Sequence, residues 1–104
     1  MVFLYIPCPN LAAARRIGTM LLRKNLITCA NIFPVLSIYR WKKKLVEEKE
    51  VILIAKTTRG NVARAKNTVA RAHPYRVPCI ADFTVTTNTS YRAWALQELG
   101  RNKN

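Results

Sequence analysis

Imidazole and thiol groups are scarce in this chain of 104 residues: there is one histidine, His73, and three cysteines, Cys8, Cys29 and Cys79. Imidazole is a good ligand for copper and zinc, which makes His73 the first candidate for metal binding. A histidine placed before Pro74 at the end of a helical pattern also serves as a cap on the last carbonyls, and that simpler role stands beside the metal one. The cysteines are odd in number and show no C-x-x-C spacing, so they form neither a disulfide framework nor a tetrahedral zinc motif. A reducing cytoplasm is the expected setting. Catalytic chemistry has little to use. Ser37 and Ser90 lie outside any nucleophile motif, the five carboxylates form no spaced pair, and three glycines do not build a phosphate-cradling loop. The chain does not read as an enzyme.

Eighteen Lys and Arg oppose five Asp and Glu, for a net charge of +13 and a pI near 10.4. No acid precedes Glu47, and none lies between Glu50 and Asp82. Polyanions, whether nucleic acid, anionic lipid or acidic partners, attract such a chain in a salt-dependent way. The basic residues are spread along the sequence rather than clustered, which fits a solvated basic surface. The alternative is an electrostatic nucleic-acid contact through Arg64, Lys66 and Arg71, without the interleaved aromatics of a specific reader. Half of the residues are hydrophobic, the balance of a folded globular domain. No apolar run approaches the roughly 18 residues of a membrane span. Residues 2–6 are too short an apolar run, without a cationic start, for a secretory signal.

Several elements must position these groups. Residues 2–6 read as a buried strand stopped by Pro7 and Pro9. Asn10 caps a helix whose Ala14, Ile17, Gly18 and Leu21 share one face and which Lys24 and Asn25 close. Residues 27–41 alternate as a strand, with Cys29 in its core pattern and Pro34 marking a bulge or a strand edge. Lys42, Lys43 and Lys44 make a polar tip, and residues 45–57 return. Each arm of this hairpin spans about 40 Å, roughly three times the radius of gyration of a 100-residue domain. Ile38, Tyr39 and Trp41 on its outer part then have too little of their own chain to lie against, so an oligomer is expected in which the arm packs on a neighbour.

A second helix carries Val62, Ala65, Val69 and Ala72 on its inner face and ends at His73-Pro74. Residues 77–87 supply another strand, through Ile80, Phe83 and Val85, followed by a short helix with Tyr91, Ala95 and Leu99 inward, and a polar tail over 100–104. The order β-α-β-β-α-β plus a terminal helix, in one domain over 1–104, predicts an α+β ferredoxin-like fold: a four-stranded antiparallel sheet with both main helices on one face.

Stretches spread over the chain resemble a known family. Cys29-Ala30-Asn31-Ile32-Phe33-Pro34 followed by Ser37-Ile38-Tyr39-Arg40-Trp41 is similar to the hairpin "A-C-x-N-I-x-P … S-I-Y-x-W-x-G-K" of CutA, the divalent-cation tolerance proteins. Glu50-Val51 with Ile54-Ala55-Lys56-Thr57 resembles the return strand "E-V-x-x-x-I-K-T". His73-Pro74-Tyr75-x-Val77-Pro78 resembles "H-P-Y-x-V-P", Tyr91-x-x-Trp94 resembles "Y-L-x-W", and Cys8-Pro9-Asn10 the end of the first strand.

The resemblance implies a homotrimer built by the long hairpins, and a weak site for copper, another divalent ion or a small effector between subunits. It implies His73 as a metal ligand with a first-strand cysteine. The matching position of that cysteine is Ile6 here, with Cys8 two residues further on the same strand face. Cys79 stands where the family has a carboxylate, and with His73 it would make a softer, copper(I)-preferring site. Lys56, Tyr75, Trp41, Arg92 and Trp94 would line the inter-subunit cleft, or pack there as anchors. Lys43 replaces the family's tip glycine and Arg76 replaces another acid, so an acidic, cation-attracting cleft is not expected.

Overall fold

The computed structural model describes residues 1–100; of the tail predicted over 100–104, Gly100 is the last residue of the final helix and 101–104 lie outside the described residues. Along the chain run β1 (Val2–Cys8), α1 (Leu11–Arg23), β2 (Cys29–Trp41), β3 (Lys44–Thr57), a 3-10 turn (Arg59–Asn61), α2 (Val62–Ala72), β4 (Ala81–Thr84) and α3 (Thr89–Gly100). The strands form one sheet in the order β2-β3-β1-β4, every pair antiparallel. This is the predicted ferredoxin-like arrangement.

Period-2 burial along β1 places Val2, Leu4, Ile6 and Cys8 on one sheet face. Their cross-strand partners Leu53 and Ala55 share that face, and α1 covers it with Ala13, Ala14, Ile17 and Leu21 while α2 adds Val62, Ala65 and Val69. Gly18 lets α1 come close to the sheet: a Cβ there would stand 3.3 Å from that of Ala30. The predicted cap is present, with the Ala13 amide donating to Asn10 Oδ1 at 2.8 Å. At the other end of α1, Asn25 takes the left-handed conformation (φ 58°). Its amide donates to Leu22 O and that of Leu26 to Leu21 O, closing the helix carbonyls. Asn25 Nδ2 also donates to Leu99 O at 2.7 Å, tying the end of α1 to α3.

Three expectations change. β1 runs through Pro7 to Cys8 because β4 pairs only with Val2–Tyr5, so the missing Pro7 N–H removes no ladder bond to that neighbour. Of the two roles expected for Pro34 the strand edge is the one found: β2 is the sheet edge, where proline is tolerated, and its register on β3 continues unbroken past Pro34, opposite Val51. The strand predicted over 77–87 is only Ala81–Thr84. Cys29, opposite Lys56, lies half-buried outside the main core, on the face turned away from α1 and α2.

The hairpin is as long as predicted. Its register runs from Cys29↔Lys56 to Trp41↔Lys44, and the molecule measures 49 × 26 × 20 Å. Lys42 (φ 49°) and Lys43 (φ 69°) close it with two consecutive left-handed residues, the conformation that Asn-Gly normally supplies. Each non-glycine residue there costs about 1 kcal/mol. Lys43→Gly is therefore expected to stabilise the chain by about 0.5–1 kcal/mol, seen as a higher urea midpoint; a lower midpoint would contradict this turn geometry.

Candidate functional site

β1 ends beside the last turn of α2, and there the two halves of the chain are joined by His73. Its Nε2–H donates to Pro7 O at 2.8 Å, and its Nδ1 accepts the Tyr75 amide at 3.0 Å. A carbonyl only accepts and an amide N–H only donates, so the two partners fix the tautomer. Buried at 8% exposure, His73 has no uncommitted lone pair in this arrangement. A metal ion at Nδ1 has to displace the Tyr75 amide. The predicted cap on the last carbonyls is also refined: the ring holds a carbonyl of β1, while the His73 backbone amide closes α2 on Val69 O.

Tyr75 continues the connection. Its ring lies 4.8 Å from that of His73, and its hydroxyl donates to Glu50 Oε2 at 2.5 Å. Burial, followed by the Glu50 carboxylate, raises the phenol well above the usual tyrosine range, so Tyr75 stays a donor. Cys8 lies in the same neighbourhood, fully buried, its thiol donating weakly to Ile6 O at 3.6 Å. Burial, helped by Glu50 and opposed by Arg16, pushes this thiol up to about 11. At neutral pH Cys8 is then held as the thiol. Cys79 is exposed in the segment after His73. Among the described residues no three His, Cys, Asp or Glu side chains gather as a metal-holding group.

The predicted cleft residues occupy three separate places. Lys56 Nζ sits 5.3 Å from the Phe3 ring centroid and 5.7 Å from that of Tyr91, a cation between two aromatic faces. Arg92 and Trp94 lie nearby in sequence on the exposed side of α3, and the Trp94 ring leans on Tyr91 at 5.7 Å. Tyr75 is at Glu50, near the root of the arm. Trp41 is at the tip, twelve residue pairs from Lys56 along the hairpin, or about 40 Å. Within one chain these side chains cannot share a pocket.

What one chain does show is an open groove of about 670 Å³ where the arm leaves the body, bounded by Pro9, Leu11, Pro34, Leu36, Lys49 and Glu50. Phe3 and the Pro7 carbonyl were not singled out from sequence. The Phe3–Lys56 pairing follows from the strand register, which alternation alone does not give. The role of the Pro7 carbonyl depends on β4 stopping short, which no residue pattern announces.

The profile of the family described as CutA1 divalent ion tolerance protein matches residues 2–98. A divalent-cation tolerance protein CutA of Archaeoglobus fulgidus is 40% identical over 78 residues, 75% of this chain and 76% of that protein. One of Thermus thermophilus is 37% identical over 97 residues, 91% of this chain and 94% of that one. The crystal structure of CutA1 from Pyrococcus horikoshii superposes with a TM-score of 0.90 at 32% identity, covering 94% of this chain and 97% of that one. A CutA structure from Archaeoglobus fulgidus, described as periplasmic, gives 0.90 at 33% identity over 95% and 99% of the two chains. None of these names specifies a catalysed reaction, and among the described residues no helix is long and apolar enough to cross a membrane. The match in sequence and in fold extends over nearly the whole chain, which therefore belongs to the CutA1 divalent ion tolerance family.

Proposed function

We propose that this chain serves divalent-ion tolerance as a homotrimer, without catalysing a reaction, by weakly holding a copper-like ion or a small effector in clefts between subunits. The observation that carries the reading is the arm. Beyond Val51, where β1 ends, the hairpin is a two-stranded ribbon with two open edges. It bears Leu36 at 59% exposure, Ile38 at 65%, Trp41 at 62% and Leu45 at 73%. An isolated two-stranded ribbon is marginal in water, and such edges and side chains are stable when another copy covers them. A neighbour's arm would also bring Trp41 toward side chains that one chain keeps apart. Three free cysteines support a reducing, cytoplasmic setting.

For the ion, Cys79 is the accessible thiol, and His73 becomes a partner only when the Tyr75 amide gives way. Cys8 contributes only on losing a proton that its burial retains. Each step costs free energy, which suits weak and reversible capture. Native mass spectrometry with added copper is expected to show copper-loaded trimer, with loading reduced in Cys79→Ser and in His73→Gln variants that keep the trimer mass. Undiminished loading in both variants would reject these ligands. The commitment of both His73 nitrogens favours a second reading, a metal-indifferent trimeric scaffold whose cleft takes a small ligand or a protein. Copper uptake no greater by the folded than by the urea-unfolded chain would select it.

A further inference from the structure

Folding gathers charge that the sequence spreads. Helices α1 and α2 carry no acidic residue. Of the five carboxylates, Glu47, Glu48 and Glu50 are on the arm, Asp82 is on β4 and Glu98 is on α3. Asp82 is taken up by Lys66 at 2.8 Å and Arg59 at 3.9 Å. The two helices lie side by side, bridged by Arg16 Nη1 donating to Ala72 O at 3.2 Å. Between them runs a groove of about 220 Å³ lined by Met20, Lys24, Thr68, Arg71 and Ala72.

Arg16 and Arg23 are seven residues apart, as are Arg64 and Arg71, so each pair recurs on one side of its helix. Contact of Arg16 with Ala72, and of Lys24 with the groove shared with Arg71, turns these sides toward each other. Arg16 and Arg64 spend their hydrogen bonds on neutral groups, Ala72 O and Asn61 Oδ1, and the ion pairs of Asp82 are with Arg59 and Lys66.

We propose that the outer surface of α1 and α2, centred on the groove between Lys24 and Arg71 and flanked by Arg16, Arg23 and Arg64, docks the phosphate backbone of a nucleic acid without reading its bases. Two parallel rows of cations on rigid helices, their axes about 8–10 Å apart, present fixed positive charge to a polymer of regularly spaced phosphates. The faces between the cations carry Thr19, Ala63, Asn67 and Ala70, with no aromatic ring to stack a base. They also lack the apolar ridge that a helix buries in a lipid interface, since Leu11 and Leu22 are their only exposed large hydrophobics. This surface borders the His73 region through Arg16 and Ala72, but it uses neither the arm nor the candidate metal ligands, so it stands whether or not the ion-tolerance reading holds.

The test is fluorescence anisotropy of a labelled DNA duplex with the full chain over a range of KCl concentrations. Five phosphate contacts predict a slope of log affinity on log salt of about −4.5 per docked face. The triple variant Arg23→Glu, Arg64→Glu, Arg71→Glu should bind at least tenfold more weakly and with a flatter slope. A control with the same net charge, Lys42→Glu, Lys44→Glu, Arg76→Glu, should stay within about twofold of the parent, because non-specific attraction alone depends on total charge. Both are compared at unchanged circular dichroism and unchanged subunit number. Should the triple variant not fold, the milder Lys24→Gln, Arg71→Gln pair is expected to weaken binding severalfold. Equal losses in the helix-face variant and the control would overturn the proposal. Tighter binding to phosphatidylserine vesicles than to the duplex would overturn the nucleic-acid assignment.

Discussion

Placing aspartate at both Ile38 and Trp41 is expected to turn the proposed trimer into single chains of 11.9 kDa while the helix-covered core stays folded. In one chain these side chains are largely exposed, so the substitutions remove little that the protomer itself uses. If a neighbour covers them, each contributes roughly 1.5–3 kcal/mol of burial per protomer. The new carboxylates add a desolvation penalty to that loss. Every 1.4 kcal/mol is about tenfold in association, so several decades of affinity should disappear. Size-exclusion chromatography with light scattering reads the mass, and far-ultraviolet circular dichroism reads the fold. Retention of the parental mass would show that the arm is not the contact.

The second large effect belongs to the body. Leu53 is wholly buried, flanked on the sheet by Ile6 and Ile32 and covered by α1. Leu53→Ala should cost about 2–5 kcal/mol, the transfer loss plus the cavity left beneath a helix that cannot fully collapse. A Cβ added at the neighbouring Gly18 would stand 3.5 Å from Leu53 Cδ1, so α1 already lies close on the sheet there. Urea unfolding of parent and variant at one protein concentration measures the difference, since oligomer stability depends on concentration. A shift below about 1 kcal/mol would mean that this part of the core repacks freely.

Much of this architecture was legible because local signals agreed with one another. The α1 stripe of Ala14, Ile17, Gly18 and Leu21, its Asn10 cap and its Asn25 stop all point to one helix, and the structure contains each of them. The arm could be inferred from strand length alone. What alternation could not give was where pairing ends. β4 is short and leaves Pro7 unpaired on that side, so Pro7 continues a strand it was expected to stop, and its carbonyl becomes the partner of His73.

The site residues were the least legible part. His73 was conspicuous as the sole imidazole, yet its role depends on two backbone groups that carry no side-chain signature. Cys29 kept a core spacing but fell on the second face, half-covered, because strand parity does not say which face the two helices choose. The charge pattern was legible as a total, as stretches without acids before Glu47 and between Glu50 and Asp82, and as Arg64, Lys66 and Arg71 on the second helix. Its separation into an acid-free helix layer and an arm holding three of the acids depends on which distant residues the fold brings together.

Sedimentation equilibrium of the unaltered chain is the most direct test of the clasped arm. The expected result is a single species at three times 11.9 kDa, unchanged over a wide range of protein concentration. A folded species of one chain mass at micromolar concentration would contradict it.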